Sequence, residues 1–124
     1  MKNKIQEKIE FIYEFIDKPK SIGAILPSSK YLTKNILSFT DFTKENLSIV
    51  EYGPGTGPFT TEIAKNLKEK DKLIVIEQNE KFVKKLKQIF GKKENISIYQ
   101  ECVANVSEIL KKENIDEVDY IISG

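Results

Sequence analysis

The 124-residue sequence contains no histidine and a single cysteine, Cys102. The first absence removes imidazole from any proton-transfer scheme. Together the two exclude a structural zinc site, since one thiolate cannot complete a tetrahedral Cys/His ligand set. One cysteine also rules out an internal disulfide framework, which fits a reducing, cytoplasmic setting. No apolar run approaches the ~20 residues that span a bilayer, and no secretory signal is present. Charge of either sign is not in excess: twenty basic residues face nineteen acidic ones, for a formal charge of +1. That balance excludes a bulk polyanion binder while leaving room for a local basic patch. Internal repeats and low-complexity tracts are lacking too.

What is present is one domain's worth of amphipathic pattern, with 40% hydrophobic residues. Ile5, Ile9, Ile12, Phe15 and Ile16 recur at helical spacing over 3–17, and Pro19 stops that helix. Gly23 and Pro27 mark an irregular stretch, after which Ser28 or Ser29 can cap a helix through Leu32, Ile36 and Leu37. Residues 40–47 read as polar linker. Strands are expected at Leu47 to Tyr52, Lys72 to Glu77, Ile96 to Tyr99 and Val118 to Ser123. Helices are expected between them at Phe59 to Leu67, Glu80 to Phe90 and Val106 to Lys112. Alternating strands and helices predict an α/β fold with a parallel sheet and right-handed crossovers. Apolar runs such as LIVI and YII suit strands covered on both faces.

The segment Ile49–Leu67, IVEYGPGTGPFTTEIAKNL, concentrates the chemistry. Gly53, Gly55 and Gly57 fall between the first strand and its helix, at the strand's carboxyl end, where ligands bind in open parallel sheets. Missing Cβ atoms let a ligand lie against the main chain, and Pro58 suits the first helical position. A phosphate cradle of the GxxxxGK[ST] type is excluded, because no lysine stands at the required place. The dinucleotide pattern GxGxxG fits poorly, since Pro58 takes the third glycine's position. Glu51, two residues before the first glycine, points toward a ligand bearing a positive amine rather than a pyrophosphate. Glu77 ends the second strand twenty residues after Gly57, and an ionised carboxylate there can accept both hydroxyls of a ribose. A ligand with an ammonium at one end and an adenosine ribose at the other satisfies both carboxylates, and S-adenosylmethionine is such a molecule. Either glutamate alone reads as readily as a solvated or capping residue.

EYGPGTG followed by IEQN resembles the class I S-adenosylmethionine-dependent methyltransferases. SIGAILPSS, VEYGPGTGPFT, VIEQNEKF and VDYIISG together are similar to bacterial phospholipid N-methyltransferases over about residues 10–124, and more distantly to rRNA adenine dimethylases. The resemblance implies a Rossmann-like three-layer sandwich with parallel strands in the order 3-2-1-4. It also implies a cofactor-covering helical segment over 1–46, with the cofactor domain over 47–124. The cofactor set carried over is Glu51, Tyr52, Gly53, Pro54, Gly55, Thr56, Gly57, Glu77 and Gln78, with Ser28 and Ser29 from the covering segment. Aligning the region after the third strand puts Cys102 where the family has an acidic residue, and Val103 where it has an alanine facing adenine. Glu101 stands beside them as a substitute, and a small buried hydrophobe is the plain alternative for Cys102. Ser123 and Gly124 fall where the acceptor approaches the methyl group. No catalytic base is assigned and no metal is expected.

The implied acceptor is a lipid amine of the phosphatidylethanolamine type. rRNA adenine dimethylases share E-x-G-x-G-T-G but carry an Asn-Pro-aromatic segment at the fourth strand, where this chain has ISG. A non-catalytic cofactor-binding or assembly module is the reading from another class. Two features bear on partners. Lysines along the N-terminal helix, Lys2, Lys4, Lys8, Lys18 and Lys20, suit a peripheral contact with the inner face of an anionic membrane. Interleaved Glu7, Glu10, Glu14 and Asp17 equally suit an ordinary amphipathic helix. The lysines of KFVKKLKQIF are expected to form a solvated face over buried Phe82, Leu86 and Phe90. Further strands of the full class I fold are absent, so the chain is expected to be truncated. An exposed fourth strand, apolar on both faces, is then expected to pair as a homodimer, exchange elements or aggregate.

Overall fold

A parallel sheet organises the computed structural model, which describes residues 37–123. Four strands, β1 (Ser48–Tyr52), β2 (Lys72–Glu77), β3 (Ile96–Gln100) and β4 (Tyr120–Ser123), lie in the order β3-β2-β1-β4, all parallel. Helices α1 (Pro58–Asn66), α2 (Glu80–Phe90) and α3 (Val106–Lys112) connect them, α3 being preceded by a 3-10 turn at Val103–Asn105. Strand order and element sequence match the expectation. β4 starts two residues later than expected, because Val118 is buried against α3's side of the sheet and Asp119 caps Ser48 instead.

Successive residues of a strand point to opposite faces, and that pleat divides the core in two. Ile49, Leu73, Val75, Ile96 and Ile122 face α1 and α2, meeting Phe59, Ile63, Leu86 and Phe90. Val50, Ile74 and Ile76 face the other way and meet Val106, Ile109 and Leu110 of α3, with Ile115 and Val118. The chain direction explains the split. β1 to β3 progress one way with right-handed crossovers, placing α1 and α2 on one side, and the return from β3 to β4 places α3 on the other. Each buried aliphatic side chain stabilises by roughly 1.5–3 kcal/mol.

Local signals set the helix starts. Asn79 caps α2, its side chain accepting from the N–H of Lys81 at 2.9 Å and of Phe82 at 3.3 Å. Val83, Leu86 and Phe90 are the buried stripe of α2; Phe82, expected inside, is half-buried, displaced toward the rim by the angular step between 82 and 83. Lys81, Lys84, Lys85 and Lys87 are exposed, as expected of a solvated face. The helices expected over 3–17 and 28–37 lie outside the described residues, apart from Leu37, which is buried in the α1/α2 face. Among the described residues no helix is long and apolar enough to cross a membrane.

Candidate functional site

β1 and β2 end side by side, Tyr52 opposite Ile76, and the loop 53–57 rises from that edge. Its path is tied to β2 at two points: Gly53 N–H donates to the Ile76 carbonyl at 2.9 Å, and Gly55 N–H donates to Glu77 Oε1 at 3.1 Å. Gly57 N–H then closes a turn on the Pro54 carbonyl at 3.0 Å. All three glycines have positive φ, at 64°, 58° and 93°. At Gly55 a Cβ would meet nothing within 4 Å among the described residues, so its backbone faces open space. Gly57 is glycine for packing, because a Cβ there would stand 3.0 Å from Leu86 Cδ2 of α2. The spacing of two thus serves two purposes, a bare cradle and a close approach of α2.

Pleating puts Glu51 and Glu77 on the same face as Ile49, Leu73 and Val75, above α1 and α2. Glu77, 8% exposed, accepts Gly55 N–H on one oxygen and Asn79 N–H, at 2.8 Å, on the other. It therefore joins the glycine loop to the start of α2, and each oxygen retains a second lone pair for a ligand hydroxyl. Glu51 is fully buried. Thr60 Oγ1 donates to its Oε1 at 2.5 Å, while Oε2 is buried with no partner among the described residues. Desolvation pushes the Glu51 carboxyl up from the ordinary 4.5 to about 8; the Thr60 hydrogen bond works against that rise and the Glu77 charge adds to it.

An adenosyl ligand with an amino-acid tail fits these groups: an unpaired buried acceptor for the ammonium, spare lone pairs for ribose hydroxyls, and a cradle without side chains between them. The other expected residues take varied places. Tyr52 is half-buried among the α3-side core, Pro54 is buried beneath the loop, and Thr56 and Gln78 are exposed at the rim. Cys102 is half-buried and packs against the α3-side core, while Val103, 3% exposed, is a core residue of the same cluster. Glu101 is exposed; its N–H donates to the Glu77 carbonyl at 3.2 Å and its carboxylate accepts from Asn105 Nδ2 at 2.8 Å. Ser123 ends β4 opposite Tyr52, exposed at the same end of the sheet. Ser28, Ser29 and Gly124 lie outside the described residues. No cluster able to hold a metal ion occurs among the described residues.

Thr60 and Asn79 were not singled out from the sequence, yet each binds one of the two carboxylates. A signal for Thr60 exists: it is a polar residue on the apolar stripe of a helix, between Phe59 and Ile63, and such a residue needs a buried partner.

Comparison with known proteins narrows this picture. The sequence model of the ribosomal RNA adenine dimethylase family matches residues 5–122. An ornithine lipid N-methyltransferase of Singulisphaera acidiphila is 27% identical over 114 residues, covering 92% of this chain and 59% of that protein. Ribosomal RNA small subunit methyltransferase A of Mycoplasma capricolum is 37% identical over 101 residues, covering 82% of this chain and 35% of that protein. Among solved structures, a SAM-dependent O-methyltransferase from Thermotoga maritima has the same fold, with a TM-score of 0.60 at 21% identity over 87% of this chain and 39% of that one. The chain spans about three fifths of the first relative's length and about a third of the second's.

Proposed function

Because this chain belongs to the ribosomal RNA adenine dimethylase family of class I S-adenosylmethionine-dependent methyltransferases, we propose that it binds S-adenosylmethionine at the β1–β2 edge and serves methyl transfer to an amine nitrogen. The observation that carries the reading is the pairing of the open cradle at Gly55 with a buried, unpartnered carboxyl oxygen on Glu51. When bound, the cofactor supplies a methyl group activated by a sulfonium. The protein's part is to place it. Glu51 anchors the ammonium, the spare lone pairs of Glu77 hold the ribose, and the bare main chain at Gly55 lets the ligand lie flat. Exposed Ser123, across from Tyr52, lines the direction from which an acceptor comes. An attacking amine must be unprotonated, by a base or by desolvation, and this chain has no histidine to serve as that base.

For the acceptor, we favour the amine headgroup of a phosphatidylethanolamine-type lipid. Support comes from the lipid-directed relative, which aligns over 92% of the chain, and from Ile122-Ser123-Gly124 standing where adenine dimethylases carry Asn-Pro-aromatic. The family match and the ribosomal RNA relative support a second reading, transfer to an rRNA adenine. Methyl-labelled cofactor offered with vesicles rich in amine lipid or with small-subunit rRNA separates the two by which fraction takes up label. Peripheral membrane contact through the N-terminal segment belongs to the lipid reading and is checked by vesicle flotation. Pairing of two copies along β4, an edge among the described strands, is checked by light scattering.

The cofactor reading has its own test. Gly55→Asn places a side chain in the cradle, and asparagine tolerates a φ of 58° better than other side chains. Calorimetric titration with S-adenosylmethionine should show at least about a tenfold loss of affinity with a cooperative melting curve only slightly lowered by the positive φ, since a displaced ligand forfeits about 1.4 kcal/mol or more. Unchanged affinity would remove Gly55 from the site.

A further inference from the structure

Glu51 and Thr60 form a pair that the positions of the ligand groups alone do not explain. Both are fully buried, yet their single hydrogen bond satisfies one carboxyl oxygen and leaves the other bare. A buried acceptor without a donor is costly, and protein interiors seldom retain one that has no task. The Thr60 side chain comes from the first turn of α1, directly after the glycine loop, so the helix that Gly57 and Pro58 begin also carries the group that orients Glu51.

We infer that Thr60 is a positioning residue and Glu51 a proton-exchanging anchor: the Thr60 hydroxyl holds Oε1, and Oε2 sheds a proton when a cationic ammonium takes its place. The inference rests on the cofactor reading above and adds to it a coupling between ligand uptake and proton release. In the exchange the O–H bond of the Glu51 carboxylic acid breaks, its proton passes to solvent, and the carboxylate pairs with an ammonium that keeps its own three protons. No redox change or covalent transfer is involved. The groups facing Glu51 favour the neutral acid in the free protein. β2 presents the Glu77 carboxylate, α1 presents the uncharged Thr60 hydroxyl, and β4 places Ile122 in register with Glu51. Among the described residues no cation offsets them. Burial and the Glu77 charge therefore push the carboxyl up to about 8, and an arriving cation reverses that preference.

The consequence has a definite sign. Below about pH 8 the free site holds a proton that the loaded site lacks. Affinity for an ammonium ligand should then rise with pH by up to about tenfold per unit and flatten above that point. A ligand without the ammonium should show no such dependence.

Calorimetry in two buffers of different ionisation enthalpy, at pH 7, counts the protons. S-adenosylmethionine and S-adenosylhomocysteine, which share the ammonium, should each release about one proton on binding, and 5′-methylthioadenosine, which lacks it, should release none. Thr60→Val should weaken the first two ligands about tenfold and move the rise in affinity to higher pH, because the hydrogen bond that favours the carboxylate is gone. Thr60→Ser should restore both. A merely structural threonine would shift stability and leave the proton count and pH profile in place. A ligand-independent arm uses the free wild-type protein: the carboxyl carbon of Glu51, assigned by its loss in Glu51→Gln, should titrate near 8 by NMR. Titration in the ordinary carboxyl range, or binding without proton release, overturns the inference and leaves the cofactor reading standing. A folded chain that takes up none of the three ligands overturns the cofactor reading, and this inference with it.

Discussion

The two ends of the sheet hold acids of equal burial and opposite condition. At the amino end Asp71, just before β2, is fully buried and fully engaged. Its Oδ1 accepts from Leu47 N–H at 2.9 Å, and its Oδ2 accepts from Lys68 N–H at 2.7 Å and lies 3.2 Å from Lys68 Nζ. The same lysine ammonium reaches back to the carbonyls of Phe42 and Lys44, so one carboxylate and one lysine staple the entry to β1 onto the entry to β2. Asp119 does similar work nearby, accepting from Ser48 N–H and pairing with Lys44. At the carboxyl end Glu51 has one donor and an orphan oxygen, and Glu77 holds two backbone N–H groups with lone pairs to spare. Burial by itself does not separate a structural acid from a functional one. Satisfaction separates Asp71 from Glu51: both oxygens of Asp71 have donors, whereas Oε2 of Glu51 has none among the described residues.

That contrast is open to attack at either end. A large loss of stability is expected at Asp71. Asp71→Ala strands the Leu47 and Lys68 N–H groups and should cost about 3 kcal/mol in urea unfolding, with Asp71→Asn, which keeps one acceptor, costing less. If Asp71→Ala is neutral, the staple is not structural and the comparison fails. Next comes the pH dependence of stability carried by Glu51. Its folded carboxyl lies near 8 against an ordinary 4.5, so the native state binds a proton that the unfolded chain has lost between those values. The stabilising contribution is complete below about 4.5 and disappears as pH rises toward 8. Urea midpoints of Glu51→Gln should lack this decline, whereas those of the wild type should show it. Smallest is Tyr99→Phe on the α3 side, level with Ile76 but on the opposite face of the sheet from Glu51 and Glu77. Tyr99 Oη donates to Glu113 Oε2 at 2.5 Å, and burial with the Glu113 contact pushes the phenol up to about 12. Loss of this half-buried hydrogen bond should cost under about 1 kcal/mol and leave cofactor affinity unchanged; a change in affinity would extend the functional end of the sheet across to its other face.

Most of the fold was legible because it rests on short-range pattern. β2, α2 and α3 have the expected boundaries, since each is bracketed by polar or glycine residues around an apolar run. β4 is two residues shorter than the run Val118 to Ser123 suggests, because the tertiary structure uses Val118 for packing and Asp119 as a cap. Around the ligand edge, Glu51, Gly55 and Glu77 were visible through their spacing to the first strand and its turn. The division of labour among the glycines was not, because only the approach of Leu86 from α2 makes Gly57 a packing residue.

The run of residues along the chain by itself determined the alternation of strand and helix, the glycine turn at a strand's carboxyl end, and two acids at strand ends, all of which depend on neighbours within a few positions. Only the tertiary structure decided that Glu51 is sealed with one partner while Asp71 is sealed with three donor groups. The physical reason is that a carboxylate's state depends on which donors and charges the fold brings within reach, and those come from other strands and helices far away in the chain.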